Sequence, residues 1–309
     1  MLVSVNPQES SKVSLSRRAR LKAFFRALRP HRWAKNGLVV VPLLAAHHAN
    51  QPVAVFASLV AVCAFCLCAS SVYVINDLLD LEADRAHPRK CKHPFAASQL
   101  PLSAGVVMAP ALLSFAFGLG ALLTASFITA LAGYYVLTVA YSLSLKGKVV
   151  LDALVLACLY TLRIVAGAAA VNVPLSFWML LFSIFLFLSL AFVKRYAELE
   201  ALRRQGQLQS VGRGYELGDL PLLQSLGCAS GYLSVLVLAL YVNSPEIDAL
   251  YSHPKTIWML CVLLLFWVSR VWMTAQRGVM HEDPVVFALK DRMSIGVGFL
   301  AVVTVTLAL

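Results

Sequence analysis

Charge is scarce in this sequence. Only 13% of its 309 residues are Asp, Glu, Lys or Arg, with 15 acids against 26 bases, whereas a soluble globular domain is about 25% charged. With 60% hydrophobic residues and a mean hydropathy of +0.78, an ordinary soluble enzyme is excluded. Cysteine is sparse too: seven residues, six within apolar runs and Cys91 in a loop, suit neither a disulfide framework nor a zinc site. The seven histidines are scattered, so zinc is rejected, and Cys91 with His93 reads as a loop coincidence. Sixteen glycines and 13 prolines do not make a collagenous or low-complexity chain. The first 29 residues lack the apolar core and small-residue cleavage site of a signal peptide. A net charge of +11 invites nucleic acid as a partner, but the bases are divided among loops between apolar runs, which excludes it. What remains is a polytopic membrane protein.

A spanning helix needs about 20 mostly apolar residues. Nine such runs are present: 34–50, 52–75, 103–122, 126–143, 149–171, 176–193, 222–243, 256–275 and 291–309. The first is the weakest, because Gly37–Ala46 is short and contains Pro42, which suits a tilted or re-entrant segment. The predicted fold is therefore an all-α membrane bundle of about nine helices. Residues 30–309 form one transmembrane domain behind a polar, basic arm, 1–29. Within the arm, Leu15, Phe24, Phe25 and Leu28 alternate with bases, the pattern either of an amphipathic helix on anionic lipid or of plain disorder. With the N-terminus inside, 24 of the 26 Lys and Arg fall on the inner side; the outer side keeps Lys255, and Arg163 lies within a span. The positive-inside bias thus predicts N-terminus cytoplasmic, C-terminus outside, and an active site facing the cytoplasm, where the long loops 76–101 and 194–221 hold most of the acids.

After the second run the sequence reads Asn76-Asp77-Leu78-Leu79-Asp80-Leu81-Glu82-Ala83-Asp84-Arg85. On a continuous helix, Asn76, Asp77, Asp80 and Asp84 share one stripe, so three carboxylates converge at the membrane boundary. Crowded carboxylates need cations, and Mg²⁺ uses a few carboxylate oxygens while substrate phosphates complete its shell. Asp77, Asp80 and Asp84 are therefore the predicted metal ligands and catalytic groups for a metal-bound diphosphate. Pairing of these acids with Arg85, Arg89, Lys90 and Lys92 is the alternative reading of the same cluster.

NDLLDLEADR resembles the first aspartate-rich motif of the UbiA-type prenyltransferase superfamily, nine-helix membrane enzymes that ionise a Mg²⁺-bound diphosphate donor. Further segments, Arg29-Pro30-His31-Arg32-Trp33-Ala34-Lys35-Asn36, Tyr141-Ser142-Leu143-Ser144-Leu145-Lys146, Leu151-Asp152, Leu162-Arg163 and Lys194-Arg195-Tyr196-Ala197-Glu198-Leu199, resemble its decaprenyl-phosphate phosphoribosyltransferase branch. That resemblance implies transfer of a 5-phosphoribosyl group from phosphoribosyl diphosphate to a polyprenyl phosphate, with pyrophosphate released, in service of cell-envelope polymers. Two departures stand out. Many superfamily members carry a second DxxxD-type motif where this chain reads Lys-Arg-Tyr-Ala-Glu-Leu, which argues against a prenyl diphosphate donor. The branch tends to have Arg-Pro where this chain has His93-Pro94, and Gly where it has Ser98.

The substrate-binding set read from residues and resemblance together is Asn76, Lys35, Arg85, Tyr141, Lys146, Asp152, Arg163, Lys194, Arg195 and Glu198. Lys35 follows Trp33 and also reads as a snorkelling interfacial lysine. Lys146 also reads as a positive-inside anchor. Lys194 and Arg195 are phosphate contacts by resemblance, and either can form a local salt bridge with Glu198. Asp152 and Arg163, eleven residues apart, fall within about 20° of one helix face and are expected to point into one cavity. Asp152 reads as a metal or ribose-hydroxyl ligand, or as a group orienting Lys146 or Arg163. An intramembrane arginine is functional by default, with an Asp or carbonyl partner as the structural alternative. Two other functions fit the same chain: an aromatic prenyltransferase of the same superfamily, or a polytopic transporter or lipid-phosphate carrier using the acids as an ion path.

Overall fold

The computed structural model describes residues 16–86, 90–206, 214–248, 250–280 and 283–309. The apolar runs become helices: α1 Arg17–Ala27, α2 Val41–Ala45, α3 Pro52–Leu79, α4 Leu81–Ala86, α5 Leu102–Gly120, α6 Ala125–Leu143, α7 Leu151–Ala170, α8 Phe177–Arg204, α9 Leu220–Val242, α10 Pro245–Asp248, α11 Trp258–Gln276, α12 Pro284–Lys290 and α13 Arg292–Ala308. Their ends follow local chemistry. Pro52 opens α3, where its missing N–H is one that the first turn leaves unpaired. Thr124 caps α6 by accepting from the Phe127 N–H, and Asp291 caps α13 by accepting from the Ser294 N–H.

Among the described residues, seven segments are long and apolar enough to cross a membrane: α3, α5, α6, α7, α8, Leu217–Val242 and Pro254–Gln276. α13 is a shorter apolar helix. The run expected over 34–50 is not a continuous α-helix: Pro30–Val40 is 3₁₀, followed by the five-residue α2 and a turn at His47. Pro30 and Pro42 remove backbone donors, and left-handed φ values of 54° at Arg29 and 56° at His47 end the helical path on either side. Of the N-terminal arm, residues 1–15 lie outside the described residues, and Arg17–Ala27 forms the amphipathic helix. It buries Ala23, Ala27 and Leu28 against Val74 and Phe95 while leaving Leu21, Phe24 and Phe25 exposed.

Two apolar clusters hold the bundle together. One joins α7, α8, α9 and α11 through Ala157, Phe187, Leu190, Leu223, Val268 and Trp272. The other joins α3, α5, α6 and α7 through Ala64, Phe65, Ala116, Phe127, Leu131 and Leu159, with Val39 of the 3₁₀ segment seated in it. Small residues permit this close approach. A Cβ at Gly167 would overlap the Val39 carbonyl oxygen, and one at Gly227 would overlap the Trp272 ring. Around this core, Phe56, Val106, Phe115, Leu122, Val136 and Phe299 are exposed, the surface expected of helices solvated by lipid. Overpacking the contact should cost about 1–3 kcal/mol. Gly167→Val is therefore expected to lower the thermal midpoint of the detergent-solubilised protein. Gly133→Val, with nothing within 4 Å of the added Cβ, should leave it near wild type.

Candidate active site

Ionisable groups gather at one end of the bundle, where α3, α6 and α8 finish and α7 and α9 begin. The decisive local feature is the end of α3. It stops at Leu79, and Asp80 leaves the helix at φ −93°, ψ 17° before the chain resumes as α4. The acids therefore do not share one continuous helical stripe. The bend folds Asp84 back beside Asp77, both buried, and the loop after Lys90–Lys92 brings in His93; one ligand atom from each lies within 4.8 Å of the others. His93 Nδ1 is 3.2 Å from Asp84 Oδ2 and 3.1 Å from the Arg29 guanidinium, which also pairs with Asp77. Lys90 Nζ stands 3.4 Å from Asp84 Oδ1. Asp77 Oδ2 is buried and, among the described residues, accepts no hydrogen bond. Asp80 instead points to Lys146, 3.8 Å away, and is 45% exposed. Asn76 donates to Ser142 Oγ at 3.1 Å, linking α3 to α6. Arg85 is exposed on α4, and Arg89 lies outside the described residues.

A second cluster centres on Asp283, the residue that caps α12 by accepting from the Val285 N–H. Lys35 Nζ is 2.5 Å and Lys194 Nζ 3.4 Å from its Oδ2, and the Tyr160 hydroxyl is 3.4 Å from Oδ1. Burial works to raise the Asp283 carboxyl, but the Lys194 and Lys35 ammonium charges outweigh it and hold the group down at about 2. Lys35 also lies 5.5 Å over the Tyr160 ring.

A third cluster is fully internal. Asp152 Oδ2 meets Arg195 Nε at 2.5 Å, both side chains at most 1% exposed. Arg195 also pairs with Glu198 and donates to the Tyr141 hydroxyl at 3.0 Å. The Tyr215 hydroxyl donates to Asp152 at 2.5 Å and accepts from the Val150 N–H at 2.9 Å. Val150 sits at φ 65°, a strained value for a β-branched residue, held by that bond at the start of α7. Burial and the Asp152 hydrogen bond together push the Tyr215 phenol up. Arg195 is thus a buried clamp, with no surface open to a phosphate.

Nor do Asp152 and Arg163 share one cavity, although they lie on one helical face. Arg163 Nε and Nη2 donate to Asn36 Oδ1 and the Tyr134 hydroxyl at 3.1 and 2.8 Å, and Nη1 to the Leu159 carbonyl at 2.6 Å. Its guanidinium lies over the Tyr134 and Tyr160 rings. The charge of the intramembrane arginine is solvated by uncharged polar and aromatic partners that tie the 3₁₀ segment to α6 and α7. Eleven residues of helix span about 16 Å, so the two charges stand at different depths.

Two cavities stand out, one beside these clusters and one far from them. One of about 350 Å³ lies beside the carboxylate pair, between α1, the 3₁₀ segment and His93. The larger, about 560 Å³, is walled by Pro42, Trp178, Phe182, Val237, Tyr241 and Tyr251 at the opposite end of the bundle, far from the ionisable clusters. The chemistry belongs with the carboxylates and bases, so the smaller cavity is the relevant one.

The profile of the UbiA prenyltransferase family matches residues 37–287. The chain belongs to that family. Among its relatives, nodulation protein NoeC of Azorhizobium caulinodans is 39% identical over 87% of this chain and 87% of its own length. Protein y4nM of Sinorhizobium fredii is 36% identical over 91% of this chain, which spans about half, 54%, of that longer protein. A decaprenyl-phosphate phosphoribosyltransferase of Mycolicibacterium smegmatis is 39% identical, over 60% of each chain. In fold, the bundle matches a UbiA homolog of Archaeoglobus fulgidus solved with GPP and Mg²⁺ at a TM-score of 0.67 and 15% identity, covering 92% of this chain and 97% of that one. UbiA membership establishes an integral membrane protein of the transferase superfamily.

In this UbiA chain, three site groups escaped the reading of the sequence: Arg29, His93 and Asp283. His93 was set aside as loop coincidence; its signal was a His-Pro directly after a basic run. Asp283 precedes Pro284, the cap-and-proline start of a short helix, which masks a second role. Two outcomes follow. Asp152→Asn removes one of the two carboxylates paired with the buried Arg195 and should destabilise the protein by about 1–3 kcal/mol, read as a fall in thermal midpoint. Asp283 has a folded value below its ordinary 3.8, so its stabilisation is present above that value and is lost as pH falls from about 4 toward 2. The midpoint difference between wild type and Asp283→Asn should be level near neutrality and shrink across that window; a flat difference down to pH 2 would contradict the assignment.

Proposed function

We propose that this UbiA protein is a Mg²⁺-dependent phosphoribosyltransferase that moves the 5-phosphoribosyl group of phosphoribosyl diphosphate onto a polyprenyl phosphate and releases pyrophosphate. The observation that carries the reading is the buried Asp77–Asp84 pair, close enough with His93 to hold one ion, next to a cavity walled by bases that includes its partners Arg29 and His93. Two buried carboxylates with a spare hard oxygen suit a divalent cation. Asp77 and Asp84 would hold Mg²⁺, with Asp80 supplying a carboxylate at the open rim beside Lys146. When bound, the ion would stabilise negative charge on the departing pyrophosphate.

The chain's own groups do the rest. Arg29 and His93 sit against the carboxylates and hold them in place. Lys146 lies on the open side, where it neutralises diphosphate oxygens. Lys35 and Lys194, gathered by Asp283, offer two further ammonium groups at the same end of the bundle. The acceptor phosphate is already an anion, so no general base is assigned. A phosphoribosyl donor is favoured over a prenyl diphosphate by the Lys194–Leu199 segment, which places bases where a second acidic motif would stand, and by the similarity to named decaprenyl-phosphate phosphoribosyltransferases. We further propose that the N-terminus and this site face the cytoplasm, and that residues 30–309 act as one domain.

The test is turnover by the purified protein in lipid. With phosphoribosyl diphosphate and polyprenyl phosphate it should release pyrophosphate, and EDTA should abolish release. Product formed only from a prenyl diphosphate and an aromatic acceptor would assign the chain to aromatic prenyl transfer, and no metal-dependent pyrophosphate from either pair would favour a carrier. Asp77→Ala, Asp80→Ala and Asp84→Ala should each lower kcat by about 10²–10³.

A further inference from the structure

The cavity beside the carboxylate pair has an unusual wall. Lys22 and Arg26 enter it from α1, Arg29, His31 and Arg32 from the start of the 3₁₀ segment, and His93 from the facing loop; among the described residues no carboxylate lines it. Arg26 donates to the Lys92 carbonyl at 3.1 Å, fastening α1 to that loop. Arg29 and Arg32 both lie over the Tyr73 ring, 5.6 and 5.1 Å from its centroid. Among the described residues, two of these wall groups are paired with carboxylates, Arg29 with Asp77 and His93 with Asp84. Partial burial and the neighbouring Arg32 and Arg29 charges hold the His31 imidazole below its ordinary value. Permanent cations gathered in this way repel one another, and an anion relieves the repulsion. Phe25 shares the wall, and Leu21, Phe24 and Phe25 are exposed on α1, so the cavity opens where an amphipathic helix meets lipid.

We propose that this cavity is a phosphomonoester site, distinct from the carboxylate pair, with Lys22, Arg26 and Arg32 as its anion ligands. A phosphomonoester carries close to two negative charges and three acceptor oxygens, which guanidinium forks match bidentately. A phosphodiester offers one charge and fewer acceptors. The assignment rests on the reading that both substrates are phosphorylated: the donor brings a 5-phosphate on ribose and the acceptor a phosphate on its lipid. Either source presents the same chemistry to these bases, and α1 lies at the interface where both arrive.

The test uses the full-length protein in phosphatidylcholine nanodiscs without divalent metal. Three probes are titrated: ribose 5-phosphate, a polyprenyl monophosphate and phosphatidylglycerol. Lys22→Gln with Arg26→Gln removes two exposed charges; Lys22→Arg with Arg26→Lys keeps them. The neutral pair should lose about tenfold or more in affinity for a monophosphate probe, and the charge-keeping pair should stay near wild type. Loss for the lipid probe identifies the acceptor's phosphate, and loss for the sugar probe identifies the donor's. Unchanged affinity for both overturns the proposal, as does an equal loss for phosphatidylglycerol, which would make the cavity a general anionic-lipid surface. Mn²⁺ binding followed by electron paramagnetic resonance reports the carboxylate pair independently: it should survive in the neutral pair and fall in Asp77→Ala. If Asp77→Ala leaves it intact while the probes behave as expected, the metal reading fails and the phosphomonoester site stands.

Discussion

Two carboxylates buried side by side in an apolar bundle repel each other and forgo hydration, so everything around Asp77 and Asp84 is arranged to compensate. Compensation at this site comes from Arg29, before the 3₁₀ segment, and from Lys90 and His93 of the loop that follows α4. Without them the pair would be costly in a low-dielectric interior. With them, the arrangement is a preorganised trap: the cations satisfy the carboxylates without using every oxygen. Among the described residues, Asp77 Oδ2 has no hydrogen-bond partner.

The same constraint runs through the whole bundle, because a membrane-embedded fold has to pair each charge it carries. Arg163 is met by Asn36, Tyr134 and a backbone carbonyl; Asp152 by Arg195 and Tyr215; Asp283 by Lys35 and Lys194. These pairings also fasten the fold. Lys35 is joined to Asp283 across 248 positions of sequence and Arg163 to Asn36 across 127, so the irregular 3₁₀ segment is anchored by charge where it has no long helix to anchor it by packing. Its path requires closeness to α7, which Gly167 permits. Polar pairing and small-residue packing thus act together on the segment of the bundle least able to hold its own shape.

The bases divide into two kinds. Arg163 and Arg195 are consumed by internal partners and build the scaffold. Lys22, Arg26, Arg32 and Lys146 keep exposure at the acidic end, where a phosphorylated ligand can reach them. That division could not be made from residue type, since Arg195 and Lys194 are neighbours with different fates.

Composition and apolar run length alone determined that the chain is an all-helical membrane bundle, because burying backbone in lipid leaves few alternatives and leaves a periodic hydrophobic record. The motif 76–85 and the segments resembling a known enzyme branch also marked which end carries chemistry. Only the tertiary structure decided which acids meet. The break at Asp80 cancels the seven-residue helical spacing and turns Asp84 back onto Asp77, and His93, Arg29 and Asp283 join from loops whose positions depend on long-range packing. Local periodicity records which face of a helix is greasy; it holds no record of where a chain turns after the helix ends, and that turn is what assembles the site.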